Sequence, residues 1–223
     1  MIALDNPIWN ALTSAHRPMA RRNGLAARYP GEVSPLTGLG ELTPQAFADL
    51  EALVGPDEQV ALFTTAPVEV PDDWQVVKAR YIDQMVCTAP PPVSGESFVT
   101  LGPADVPDML ALTALTEPGP FAARTHEMGH YVGVRAPDGR LAAMTGQRLG
   151  LDDFTEISAV CTHPDFQGRG YAKALVAYQA ARILAEGKTA FLHVKTENGA
   201  KVVYERLGFR VRRPIQYSVV ARA

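Results

Sequence analysis

Apolar spacing changes period several times along the C-terminal half, and each change marks an element. Glu156-Ile-Ser-Ala-Val-Cys-Thr162 is rich in β-branched and small residues and reads as a short strand bounded by Asp152-Asp153 and His163-Pro164. Ala172, Leu175, Val176, Ala180, Ile183 and Leu184 then recur at helical spacing, with Lys173, Gln179, Arg182 and Glu186 off the stripe and Gly187 as the stop. Ala190–Lys195 predicts another strand. Ala200, Val203, Tyr204 and Leu207 predict a short helix capped by Asn198 and closed by Gly208. Phe209–Arg213 and Ile215–Val220, separated by Pro214, predict two last strands.

Upstream, Ser97–Leu101 reads as a strand and Ala104–Thr116 as a helix ended by Pro118-Gly119-Pro120. His130–Arg135 and Arg140–Gln147 form a hairpin about Pro137-Asp138-Gly139. Nearer the start, Ile8 opens a helix running toward Arg21, and Thr43-Pro44 caps one running to Leu53. Gln59–Thr64, Trp74–Lys78 and Gln84–Cys87 are strand candidates. The donor-poor stretch Ala89-Pro-Pro-Pro-Val-Ser-Gly95 predicts a linker. The expected organisation is a smaller α+β N-terminal domain over residues 1–93, with a degenerate copy of the following fold as one reading of it, and a main domain over 94–223.

Between the pivotal strand and its helix stands Gln167-Gly168-Arg169-Gly170-Tyr171-Ala172. A strand, a glycine turn and a helix start in that order aim backbone N–H groups and a helix dipole at one point, which suits phosphate. The string is no Walker A loop, and Lys173 stands where a dinucleotide fingerprint needs its last glycine. It fits Q-x-x-G-x-A. Downstream, Asn198, Ala200, Tyr204, Gly208 and Phe209 fit N-x-A-x-x-x-Y-x-x-x-G-F. The two motifs together resemble the GCN5-related N-acetyltransferases, the GNAT superfamily, over about residues 96 to 223. Glu156 to Pro164 looks most like the branch that includes glycine N-acyltransferase-like proteins.

The resemblance implies an α+β fold with a mixed, mostly antiparallel sheet, and acetyl-CoA as cosubstrate. It implies that Gln167, Gly168, Arg169, Gly170, Tyr171, Ala172 and Lys173 hold the pyrophosphate. Backbone N–H around Val160, Cys161 and Thr162 would meet the acyl oxygen, and Asn198 the pantetheine arm. Tyr204 stands where the superfamily places the acid that protonates the departing sulfur. Glu156 stands where many members place the base, with His126, His130 and His193 as alternatives. The implied activity is transfer of an acetyl group to the amine of a small molecule or amino acid. A catalytically silent acyl-CoA-binding or sensor protein is the alternative.

Composition narrows this picture. A net charge of −3 over 223 residues gives no basic face for nucleic acid. No apolar run approaches the ~18 residues of a membrane span, and the N-terminus has no basic-then-apolar leader. The two cysteines, Cys87 and Cys161, have no metal-ligand spacing, so no metal is expected. Cys161 alternates along its strand as a small core residue rather than a nucleophile. A reduced cytoplasmic protein is the simplest reading, with homodimer formation left open.

Overall fold

The computed structural model describes residues 2–89 and 98–223. The linker predicted at Ala89–Gly95, and with it the domain boundary, lies outside the described residues except for Ala89. Helix α1 (Pro7–Thr13) leads into three short strands, β1 (Arg21–Asn23), β2 (Ala26–Arg28) and β3 (Thr37–Leu39), paired as an antiparallel sheet of their own. Three residues are too few to show a period, so the sequence does not announce them. Helix α2 (Pro44–Glu51) starts as expected: Thr43 Oγ1 accepts from Ala46 N at 3.3 Å, and Phe47 and Leu50 are buried.

The large sheet takes β4 (Gln59–Thr64), β5 (Trp74–Cys87), β6 (Val99–Leu101), β7 (Tyr131–Arg135), β8 (Leu141–Gly150), β9 (Phe154–Thr162), β10 (Thr189–Lys195) and β11 (Phe209–Arg222), in the order β4-β11-β5-β10-β9-β8-β7-β6. Helix α3 (Val106–Thr116) follows β6, and α5 (Lys201–Arg206) follows β10. Among the described strands of this sheet only β9 and β10 pair in parallel, because α4 (Tyr171–Ala185) carries the chain back between them. One face of the sheet packs on α4 and α5 through Met85, Val176, Ile183, Leu192 and Phe209. The other packs on α1 and the small sheet through Ile8, Leu12, Tyr29, Phe63, Phe191 and Ile215.

Several expectations change. The strands read at Trp74–Lys78 and Gln84–Cys87 are one 14-residue strand, paired to β11 along its length and to β10 at its end. A strand with partners on both sides needs no continuous apolar run to persist. The two last strands are also one, bent by a register shift between Val211 and Arg213. Pro214 is tolerated because β11 meets β4 only from Gln216 onward, so the missing N–H deprives no partner there. On α4, Leu184 is 55% exposed, whereas the supposedly outward Gln179 is fully buried. Gln179 Nε2 donates to His130 O at 2.9 Å and its Oε1 accepts from Gln147 Nε2 at 3.1 Å, which satisfies the amide. The α5 N-cap is Ala200, not Asn198; Asn198 Oδ1 instead accepts from Ala200 N at 2.9 Å and tightens the approach turn. Gly208 closes α5 with φ 84°. Among the described residues no helix is long and apolar enough to cross a membrane.

Because β5 lies between β10 and β11, the N-terminal stretch contributes a central strand to the sheet it shares with the C-terminal stretch. Protease cleavage within residues 90–97 is therefore expected to leave two pieces that co-elute in size-exclusion chromatography without denaturant. Separation of the pieces in buffer would show that these hydrogen-bonded neighbours do not hold.

Candidate active site

Parallel pairing of β9 with β10 runs from Thr189↔Phe154 to Phe191↔Glu156 and then stops. Beyond that point β10 stays with β5, while β9 stays with β8, so the two strands part. A cavity of about 290 Å³ occupies the gap, lined by Ile157 to Val160 of β9 and Leu192 to Lys195 of β10. Its walls come from both faces of the sheet. Phe63, Arg80, Ile82, His193 and Tyr217 stand on the α1 face, and Leu192, Val194 and Tyr204 on the α4 face. Thr116 to Pro120, leaving the end of α3, cover one side.

A bulge in β9 opens this gap further. Cys161 faces Met144 and Ser158 faces Gly146, so Ala159 and Val160 have no register partner on β8, and β10 has already diverged. Ala159 takes φ 52°, a left-handed conformation rare for a residue with a Cβ. Backbone amides released from a ladder at a cavity wall can donate to a developing oxyanion. Of the three residues expected there, Val160 lines the cavity. The Cys161 side chain instead packs against α3 with Met109 and Leu112, where burial pushes its thiol up to about 11. It is a core residue, as read from the sequence.

The glycine turn precedes α4 and is exposed from Gln167 through Gly170. Gly168 and Gly170 have φ of 76° and 82°, and a Cβ on either would meet nothing within 4 Å. Backbone angle, not crowding, demands glycine there, and the space beside it is open to a ligand. The helical ladder begins with Ala174 N on Gly170 O at 3.0 Å, so the amides of Tyr171, Ala172 and Lys173 precede it. The Arg169 guanidinium lies 5.1 Å from the Phe166 ring centre, and Lys173 is exposed. This turn is a locus of its own and not part of the cavity lining.

Tyr204 and Asn198 both reach the cavity. Tyr204 is 9% exposed, and burial, with a smaller contribution from Cys161, pushes its phenol up to about 12. Glu156 does not reach the cavity. It is fully buried, with Arg148 Nε on Oε2 at 2.8 Å and an Arg148 terminal nitrogen on Oε1 at 2.6 Å, and His193 Nδ1 2.7 Å from Oε1. Burial works to raise this carboxyl, but the Arg148 charge and these hydrogen bonds outweigh it and hold the group at about 2.

His193 is the only one of the three alternative histidines that lines the cavity. Its tautomer follows from its neighbours. Arg212 donates to Gln84 Oε1 at 2.8 Å, so Gln84 Nε2 donates both to Leu4 O at 2.9 Å and to His193 Nε2 at 3.1 Å. His193 Nε2 is then the acceptor, and Nδ1–H donates to Glu156. Burial keeps the ring neutral against the pull of Glu156. His126 and His130 lie outside the lining. Sequence reading missed Phe63, Arg80, Ile82 and Tyr217, which reach the site only because β4, β11 and β5 assemble on one side of β10, and Arg148, which β8 brings in beside β9. Among the described residues no group of three or more His, Cys, Asp or Glu side chains is arranged to hold a metal.

Comparison with known proteins places this architecture. A family model described as FR47-like protein matches residues 131–218. A solved structure from Novosphingobium aromaticivorans DSM 12444, assigned to the GNAT family of acetyltransferases, superposes with TM-score 0.91 at 35% identity over 99% of this chain and 98% of that one. A GCN5-related N-acetyltransferase from Kribbella flavida shares the fold with TM-score 0.61 at 16% identity, over 99% of this chain and 94% of that one. No curated protein matches the chain. The fold is that of the GNAT acetyltransferases. This chain belongs to the GNAT family of acetyltransferases.

Proposed function

We propose that the protein transfers an acetyl group from acetyl-CoA to the amine of a small molecule or amino acid. The observation that carries this reading is the cavity between β9 and β10, which has the released backbone at Ala159–Val160 on one wall and Tyr204 on another, together with an open glycine turn at the start of α4. In this reading the turn from Gln167 to Lys173 binds pyrophosphate through backbone N–H and the α4 dipole, and Asn198 meets the pantetheine arm. The acceptor nitrogen attacks the thioester carbon and a C–N bond forms. The oxyanion rests on backbone N–H at Val160, and collapse of the adduct breaks the C–S bond.

The departing thiolate takes its proton from Tyr204. A phenol at about 12 is a weak acid, but dry surroundings raise thiols as well, as the nearby Cys161 at about 11 shows. The same dry surroundings raise the basicity of a sulfur leaving there, which favours the transfer. The acceptor nitrogen gives up its proton to water at the cavity mouth, because both His193 nitrogens are engaged, Nε2 by the Gln84 amide and Nδ1 by Glu156. The narrower likeness to glycine N-acyltransferase-like proteins rests on Glu156 to Pro164 and is part of the same proposal.

Isothermal titration calorimetry tests the donor site. Wild type should bind CoA, and Gly170→Asp should lose most of that affinity, because a carboxylate would meet the pyrophosphate and an aspartate is strained at φ 82°. Absence of CoA binding by folded wild type would refute the reading. Binding without thiol release across a panel of amines and amino acids would favour a silent sensor.

A further inference from the structure

We infer that the acceptor is an amine that carries a carboxylate, and that Arg80, assisted by Lys195, binds that carboxylate on the α1 face of the cavity. This rests on the acetyl-transfer reading and names the substrate class for the same site.

The placement follows from register. Arg80 on β5 faces Tyr217 on β11, and Tyr217 faces Phe63 on β4, so the three form one row across the sheet. All three line the cavity, and Ile82, two residues from Arg80 on the same strand and face, extends the patch along β5 to where β10 pairs with it. There Lys195 stands opposite Ile82, which sets it diagonal to Arg80.

Charge accounting singles out this pair. Arg148, the remaining arginine of the lining, is matched by Glu156. Among the described residues neither Arg80 nor Lys195 has an acidic partner, and Glu117, the carboxylate that also lines the cavity, pairs with neither. The Arg80 guanidinium is held by stacking instead, 5.6 Å from the Tyr217 ring centre, which leaves its donors free. Two neighbouring cations facing one cavity repel until an anion joins them, and a guanidinium suits a carboxylate bidentately. The Phe63 and Tyr217 rings, 5.8 Å apart, and Ile82 offer an apolar wall beside the charges. An amino acid with an apolar side chain matches both parts. Helix α4, which the glycine turn opens, packs on the opposite face of the sheet, so these cations are not placed to serve the donor phosphates.

Matched acceptors test this: leucine against 3-methylbutylamine, and phenylalanine against 2-phenylethylamine, with thiol release as the readout. Wild type should favour the amino acids by tenfold or more in kcat/KM. Arg80→Ala should remove the preference by raising KM for amino acids on the order of 10- to 100-fold, with little effect on the plain amines, and Arg80→Lys should restore part of it. CoA affinity by calorimetry and the thermal midpoint should not change. Equal use of matched amines by wild type overturns the inference, and so does a loss of CoA affinity in Arg80→Ala, which would assign the residue to the donor. If wild type binds no CoA, the acetyl-transfer reading falls first. Calorimetry with N-acetylleucine then decides the carboxylate site alone: binding weakened by Arg80→Ala supports it, and no binding to wild type overturns it.

Discussion

Tyr204→Phe is expected to lower kcat by about 10- to 1,000-fold while leaving CoA affinity and thermal stability nearly unchanged. The ring packs beside Phe209, with centroids 6.3 Å apart, inside the cluster formed by Val176, Leu192 and Leu207. Phenylalanine preserves that packing. Only the hydroxyl goes, and among the described residues no protein group is hydrogen-bonded to it, so its removal strands no partner. Tyr204→Ala should instead destabilise by roughly 3–5 kcal/mol through the lost ring. The discriminating measurement is single-turnover acetyl transfer, where chemistry rather than product release sets the rate. A Tyr204→Phe enzyme that matches wild type there would make Tyr204 a packing residue.

Arg148→Ala should cost about 3–5 kcal/mol of stability, because it leaves the Glu156 carboxylate buried without its counter-charge. Replacing both partners with apolar residues of similar volume, Arg148→Met with Glu156→Leu, should cost far less, which separates the stranded charge from the lost pairing. The pH dependence has a definite sign. Glu156 ionises at about 2 in the folded chain, below the ordinary glutamate value of 4.5. Folded-state pairing therefore stabilises fully above about 4.5, and that contribution is lost as pH falls toward about 2. Denaturant midpoints should decline through this window in wild type. In Arg148→Ala the buried carboxyl should prefer its proton, and lowering the pH should then relieve part of the damage. A flat profile in both proteins would mean that the pair carries no net stability.

The geometry was legible where it is local. The turn from Gln167 to Ala172 needs only φ above zero at two glycines and a helix after them, and both conditions show in the residue string. Tyr204 was legible for the same reason, since α5 is six residues long and fixes its own facing. The α1 face of the cavity was not legible. Arg80 and Phe63 belong to strands whose neighbours are distant in sequence, and nothing in Gln75–Asp83 says that β11 and β10 will flank it. Glu156 was visible as a residue but not as half of a buried pair, because Arg148 joins it only through the β8–β9 hairpin. Likewise, polar Gln179 follows helical spacing onto the outer face, and only the partners supplied by Gln147 and His130 draw it inward.

The position of β5 also bears on how the chain is made. Trp74 pairs with Arg222, so one of the strand's two neighbours is synthesised long after it. Until then that side of β5 is an unprotected edge, on a strand whose Val76, Val77 and Tyr81 are exposed even in the finished fold. Pairings this distant in sequence close slowly, since the intervening chain must be ordered before they form. A nascent chain stalled near α5 would hold two finished strands, β4 and β5, with no β11 to join them. Such a species is a template for intermolecular strand addition, so premature termination should yield aggregates rather than a smaller folded protein.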